Sequence, residues 1–169
     1  MTKFIAFTNP DGTVGIITPA PEMFDPKSRT RELLAGRGVT LKTSKQVLDW
    51  IAAKDVPAGL PWRLVEAVPA DRAFRAAWTG QRAIDVDMTR ARAIHLDRLR
   101  VVRNEKLKAL DVEYQKAHES GDENRQAEVA KRKQELRDLP AAVDLSAVTS
   151  PAELKAFVPA TLTDREGPQ

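Results

Sequence analysis

With 169 residues, 42% of them hydrophobic and 30% charged, the chain can bury one moderate core or two small ones, and its few aromatics favour helical, well-solvated surfaces over a large sheet enzyme. It has no cysteine, which excludes disulfides, iron–sulfur clusters and thiolate metal sites and suits a protein made in a reducing compartment. Its 27 basic residues stand against 24 acidic ones, a net charge of only +3, which is thin for a phosphate-tracking surface.

The start of the chain reads as a small α+β unit over residues 1–80. Lys3 to Thr8 is a strand candidate, Asn9-Pro10-Asp11-Gly12 is turn chemistry, and the β-branched run Val14 to Thr18 returns as its hairpin partner. Pro19 and Pro21 stop that pairing. The opening apolar run is too short for a signal-peptide core, and no later run reaches the length of a membrane span. The expectation is a soluble, unprocessed protein, or one exported without a signal.

A short helix is expected at Arg29 to Leu34. Thr43-Ser44-Lys45-Gln46 has capping-box spacing, with Thr43 as N-cap and Gln46 reaching back, and Val47, Leu48 and Ile51 follow on one face. Pro57 ends that helix by biasing Val56 out of the helical region. Trp62 to Val68 is a third strand candidate, and Asp71 begins a short helix with Phe74, Ala77 and Trp78 on one face. Trp50 and Trp78 are expected in the core, whereas Trp62, between Pro61 and Arg63, is the candidate exposed anchor for a partner.

Gly80 to Asp87 reads as a polar hinge, and Asp87 as the cap of a long helix. This helix and a second one, separated by Ser120-Gly121-Asp122, spell an antiparallel helical hairpin over residues 87–140. Met88, Ala91, His95, Leu99, Val102, Leu110, Tyr114 and Ala117 form one drifting apolar stripe, with Leu96 and Leu107 at its flank. The returning helix offers Ala127, Val129, Ala130, Leu136 and Leu139. The expected seam is therefore His95, Leu99, Val102, Leu110, Tyr114 and Val129. Because two helices with so few large anchors bury little, oligomerisation or docking onto a larger assembly is expected to cover the rest. Pro140 is expected to end the hairpin, leaving 141–169 as a short helix, started by Ser150-Pro151-Ala152-Glu153, and a loose tail from Thr161.

Catalytic patterns are weak. His95 lies on the apolar stripe, and His118 sits beside Glu119 at a helix end. A metal set of His118, Glu119, Asp122 and Glu123 would have one histidine and loop carboxylates, and Asp11-Gly12 lacks the run of acidic ligands a calcium loop needs. No Walker loop, dinucleotide fingerprint or nucleophile elbow occurs. The expectation is a non-enzymatic protein with no catalytic residue, metal or cofactor. Along the long helix Arg90, Arg92, Arg98, Arg100 and Arg103 point in different directions among Asp87, Asp97 and Glu105, a solvated surface more than a nucleic-acid stripe. A small basic nucleic-acid-binding regulator is the alternative reading.

The segments Arg92-Ala93-Ile94-His95-Leu96-Asp97-Arg98-Leu99-Arg100, Leu107-Lys108-Ala109-Leu110-Asp111 and Lys133-Gln134-Glu135-Leu136-Arg137-Asp138-Leu139-Pro140, with the later Thr-Ser-Pro-Ala-Glu-Leu run, resemble the helical region of tailed-bacteriophage tail assembly chaperone and tail-fibre assembly proteins. Asp71 to Trp78 is similar to an element of phage proteins of similar layout. The tryptophan common just after the Leu…Asp element in that family is replaced here by Val112-Glu113-Tyr114. The resemblance implies a tail-associated role, as assembly chaperone or virion adapter, in the host cytoplasm during assembly or in the virion tail. Its partners would be other tail or tail-fibre proteins. Leu136, Arg137, Asp138 and Leu139 then become the candidate recognition end, a leucine anchor ringed by charge. The competing explanation of the same residues is a structural clasp that closes the hairpin.

Overall fold

The computed structural model describes residues 3–80 and 83–163. The fold is α+β, and the chain divides into two compact units, residues 1–87 and 88–169.

In the first unit, β1 (Phe4–Thr8) pairs antiparallel with β2 (Val14–Ile17) and with β3 (Trp62–Val65), giving the sheet order β2-β1-β3. Turn chemistry sets the hairpin. Gly12 takes a φ of 78°, Asn9 N–H donates to Thr13 O at 2.8 Å, and the Asp11 carboxylate accepts from Thr13 N–H at 2.9 Å. Alternation along β1 then builds two cores. Ile5 packs with Met23, Val47, Leu48 and Ile51, while Ala6 packs with Val14, Val65, Trp78 and Ile84. α1 (Arg29–Gly36) is capped by Ser28 and runs two residues past the expected Leu34. α2 (Ser44–Asp55) carries the Thr43–Gln46 capping box and stops at Val56, as Pro57 requires.

Two expectations fail after β3. Asp71 to Trp78 is a turn ending in a single 3-10 turn at Arg75–Ala77, and Trp78 begins a strand, β4 (Trp78–Thr79). Phe74, Ala77 and Trp78 are nonetheless all buried, so an apolar spacing of three and one was read with the wrong period. The supposed hinge holds β5 (Asp85–Val86), paired back onto β4, with Ile84 buried; residues 81 and 82 of that hinge lie outside the described residues. Gly80 has a φ of 109°, and an added Cβ would collide with the Ala83 carbonyl, which is why the chain can reverse there.

The second unit is the helical hairpin with its brace. α3 (Met88–Glu119) has 32 residues, about 48 Å at 1.5 Å per residue. It ends at Gly121, φ 70°, where Asp122 N–H donates to Ala117 O at 2.9 Å and Gly121 N–H to His118 O at 3.1 Å, the double closure that satisfies a helix's last carbonyls. Asp122 then caps α4 (Glu123–Ala142) by accepting from Arg125 N–H at 2.9 Å. α4 does not stop at Pro140: it runs on to Ala142. Proline removes one hydrogen bond near the end of the last turn, and burial of Leu139 and packing of Val143 on the same core hold that turn.

The hairpin core joins Leu99 and Leu110 to Val129, Leu136 and Leu139, and Leu162 closes it. Leu162 sits in a 3-10 turn at Ala160–Leu162 and is 5% exposed, so Thr161 and Leu162 are not part of a loose tail; residues 164–169 of that expectation lie outside the described residues. α5 (Pro151–Ala156), with the Ser150–Glu153 capping box, packs on α3. The segment after Pro140 thus belongs to the hairpin unit, drawn in by Leu154, Phe157 and Leu162.

Two carboxylates secure this brace. Hydrogen bonds from Ser150, and then Thr149, hold the Glu153 carboxyl below the ordinary carboxylate range, and bonds from Ser146, with the Arg92 charge, do the same for Asp144. Their contribution to stability is fully present above that range and is lost as pH falls through the depressed values. Protection of the Thr149 and Ser150 amides, which donate to the Glu153 carboxylate, is therefore expected to fall as pH drops through the depressed range, and Glu153→Gln should flatten that dependence. Unchanged protection down to pH 3 would contradict it.

Candidate functional site

The residues of the expected recognition end separate into two sets. Leu136 and Leu139 are 4% and 6% exposed and belong to the hairpin core, so they are not free anchors. They recur with Val129 at spacings of seven and three, the a/d pattern of a helix seam. Arg137 and Asp138 are exposed, and Asp138 accepts from the Gln134 side chain at 2.9 Å along its own helix.

Of the expected seam, Leu99, Leu110 and Val129 meet as anticipated. Val102 and Tyr114 do not: they are 46% and 36% exposed. His95 is buried, but its Nε2 lies 2.9 Å from Phe157 O and its ring meets the Phe157 ring edge-on at 6.3 Å. A carbonyl only accepts, so Nε2 carries the hydrogen. His95 therefore faces the chain that follows α5, not α4. Val102 follows His95 by seven residues, about 20° off on the wheel, and lies on the same flank. Tyr114 sits at the α3–α4 margin, where Lys133 Nζ lies 5.1 Å from its ring centroid. The helical spacing placed Leu99 and Leu110 on the buried face, whereas Val102 and Tyr114, assigned to the seam, lie at its exposed margins. Ala127 and Ala130 are likewise exposed, because they flank Val129 instead of sharing its line.

Charge ties the hairpin from outside. Arg125 reaches Glu113 across the hairpin and Glu128 along its own helix, both at 2.7 Å, and Lys133 reaches Asp111 at 2.6 Å. Glu128 first and Glu113 next raise the Arg125 guanidinium above its ordinary value; the three side chains are about half exposed and contribute weakly to stability.

Where α4 ends against the middle of α3, a small groove opens. Its floor is Leu96, Leu99, Leu139, Pro140 and Val143, and its rim is Arg100 and Arg103. Arg100 pairs with Asp97 at 2.6 Å on an exposed surface. Arg103 donates through Nε and Nη2 to Asn104 Oδ1 at 3.2 and 3.0 Å and has no carboxylate partner among the described residues. An apolar slot beside a guanidinium satisfied only by a neutral amide suits a partner's apolar side chain with a carboxylate next to it. The sequence reading placed Leu96 only at the flank and saw Arg100 and Arg103 as dispersed; their spacing of three, which puts them on neighbouring positions of one face, was the available signal.

Trp62 is 39% exposed on β3, as expected of the candidate anchor. His118, Glu119, Asp122 and Glu123 do not form a metal-binding group of three or more, and no such group occurs among the described residues. No helix among the described residues is long and apolar enough to cross a membrane.

The architecture is that of an α+β protein whose second unit is a long helical hairpin braced by a short C-terminal helix. No protein-family model, curated protein or solved structure matches the chain.

Proposed function

We propose that the chain is a non-enzymatic bacteriophage tail-associated protein, an assembly chaperone or a virion adapter, that holds a tail or tail-fibre subunit through its helical hairpin. The observation that carries this reading is the groove: Leu139 and Pro140, the last residues of the stretch that resembles phage tail assembly proteins, line it with Leu96 and Leu99 under an arginine rim. Arg137, exposed beside it in sequence, is a candidate outer contact.

The test is a pull-down of separately expressed tail subunits by the purified chain. Arg103→Glu is expected to weaken capture at least tenfold while shifting stability by no more than about 0.5 kcal/mol, the range of surface substitutions. Equal capture by the variant removes the groove from the reading. Mass spectrometry of purified particles separates the two roles: a fixed copy number marks an adapter, and absence from mature particles marks a chaperone.

The regulator reading is disfavoured by the carboxylates set against the hairpin's cations, Glu113 and Glu128 on Arg125 and Asp111 on Lys133. Binding to duplex DNA that falls steeply with salt would revive it.

A further inference from the structure

We infer that β3 is a strand-addition edge at which two copies of this chain join, antiparallel, into a continuous six-stranded sheet centred on Leu64. The inference starts from hydrogen-bond phase. Among the described residues β3 pairs only with β1, in the register Phe4↔Val65, Ile5↔Leu64, Ala6↔Arg63, Phe7↔Trp62. Thr8 N–H donates to Pro61 O at 3.1 Å, which makes Phe7↔Trp62 a non-hydrogen-bonded pair and fixes the alternation. Arg63 and Val65 therefore turn their backbone groups to β1, whereas Trp62 and Leu64 turn theirs outward. Those outward groups have no partner among the described residues.

The same two residues are the exposed ones on this strand, Trp62 at 39% and Leu64 at 36%. Their side chains continue the apolar rows of the α2 face. One row runs Ile17, Ile5, Leu64; the next runs Gly15, Phe7, Trp62, with the Phe7 ring lying over Gly15. Ile5 and Ile17 are covered by the α2 core, and the rows then meet solvent at β3. An edge that offers both free backbone groups and an unfinished apolar row selects an extended strand as its occupant.

The edge is its own complement. An antiparallel pairing about a dyad at residue 64 sets Leu64 against the partner's Leu64, so that the row reads Ile17, Ile5, Leu64 and then the mirror sequence. The two leucines exchange both N–H···O bonds, Arg63 lies across from the partner's Val65, and Trp62 from the partner's Glu66. Shifting the dyad to residue 63 instead opposes Arg63 to the partner's Arg63, a like-charge pair. An isologous contact of this kind closes at two copies and leaves no further edge on β3. Pro61 and Pro69 bound the segment, so the interface is short and the dimer is expected to be concentration-dependent. None of this draws on the hairpin or on any tail protein.

The chain has no cysteine, so one substitution gives a clean trap. A hydrogen-bonded antiparallel pair sets its Cα atoms about 5.5 Å apart, inside disulfide range. Leu64→Cys is expected to form a covalent dimer under mild oxidation, at least tenfold faster than Leu33→Cys, an exposed helical position on α1. Sedimentation of the unsubstituted full chain should show mass rising from one copy towards two with concentration, and Leu64→Lys, folded by circular dichroism, should remain monomeric. A native chain that is monomeric throughout, a dimer that survives Leu64→Lys, or cross-linking of Leu64→Cys no faster than of Leu33→Cys overturns the inference. Should Leu64→Lys fail to fold, the cross-linking comparison decides alone.

Discussion

Trp78→Ala is expected to destabilise the first unit by about 3–5 kcal/mol, the range for removing a buried aromatic. Trp78 is 1% exposed and sits between Ala6, Val14, Val65 and Ile84, so its loss leaves a cavity lined by the sheet's second face. Its Nε1 is buried without a partner among the described residues, and deleting that donor offsets part of the cost. Trp78→Phe separates the two terms. It keeps most of the ring volume and removes the orphan, and is expected to cost less than half as much as Trp78→Ala in urea denaturation. Equal losses would mean that packing around the indole is not what holds this unit.

Leu110→Ala is expected to cost the hairpin about 2–4 kcal/mol. Leu110 is 5% exposed and shares the core with Val129, which is fully buried. A double-mutant cycle with Val129→Ala should show non-additivity above about 0.5 kcal/mol, as neighbours sharing one cavity do. Arg137→Ala, one helical position from Leu136 but exposed, should stay within about 0.5 kcal/mol. Thermal denaturation of the three variants tests the assignment; an unchanged melting temperature for Leu110→Ala would sink it.

Local signals carried most of the architecture. Thr43 with Gln46, Ser150 with Glu153, Asp122 and Gly121 each set a helix boundary through hydrogen bonds made within a few residues, and the wheel placed Leu99, Leu110 and Val129 together. What failed was anything set by a distant neighbour. Val102 looked like core because it continues the line of His95, yet what buries that line at His95 is the chain after α5, not α4. Leu136 and Leu139 were open to two explanations, a recognition end and a clasp of the hairpin, and their spacing from Val129 and their burial are those of the clasp. Pro140 was taken as a stop because proline breaks helices in isolation, whereas Leu139 and Val143 hold this last turn by packing. Of the groove, only the arginine rim had a signal, the spacing of three between Arg100 and Arg103; its apolar floor had none, since a helix pattern does not reveal where a second helix ends against it. The outward phase of Trp62 and Leu64 was likewise hidden until the register with β1 was known.

The hairpin groove as a holder of a tail subunit is tested most directly in infected cells, by quantitative affinity purification of the tagged chain beside its Arg103→Glu variant. The proposed function requires one tail or tail-fibre subunit to be recovered at a fixed ratio with the native chain, either in assembly intermediates or in particles, and at least tenfold less with the variant. Recovery of no tail component, or the same recovery with both chains, would contradict it.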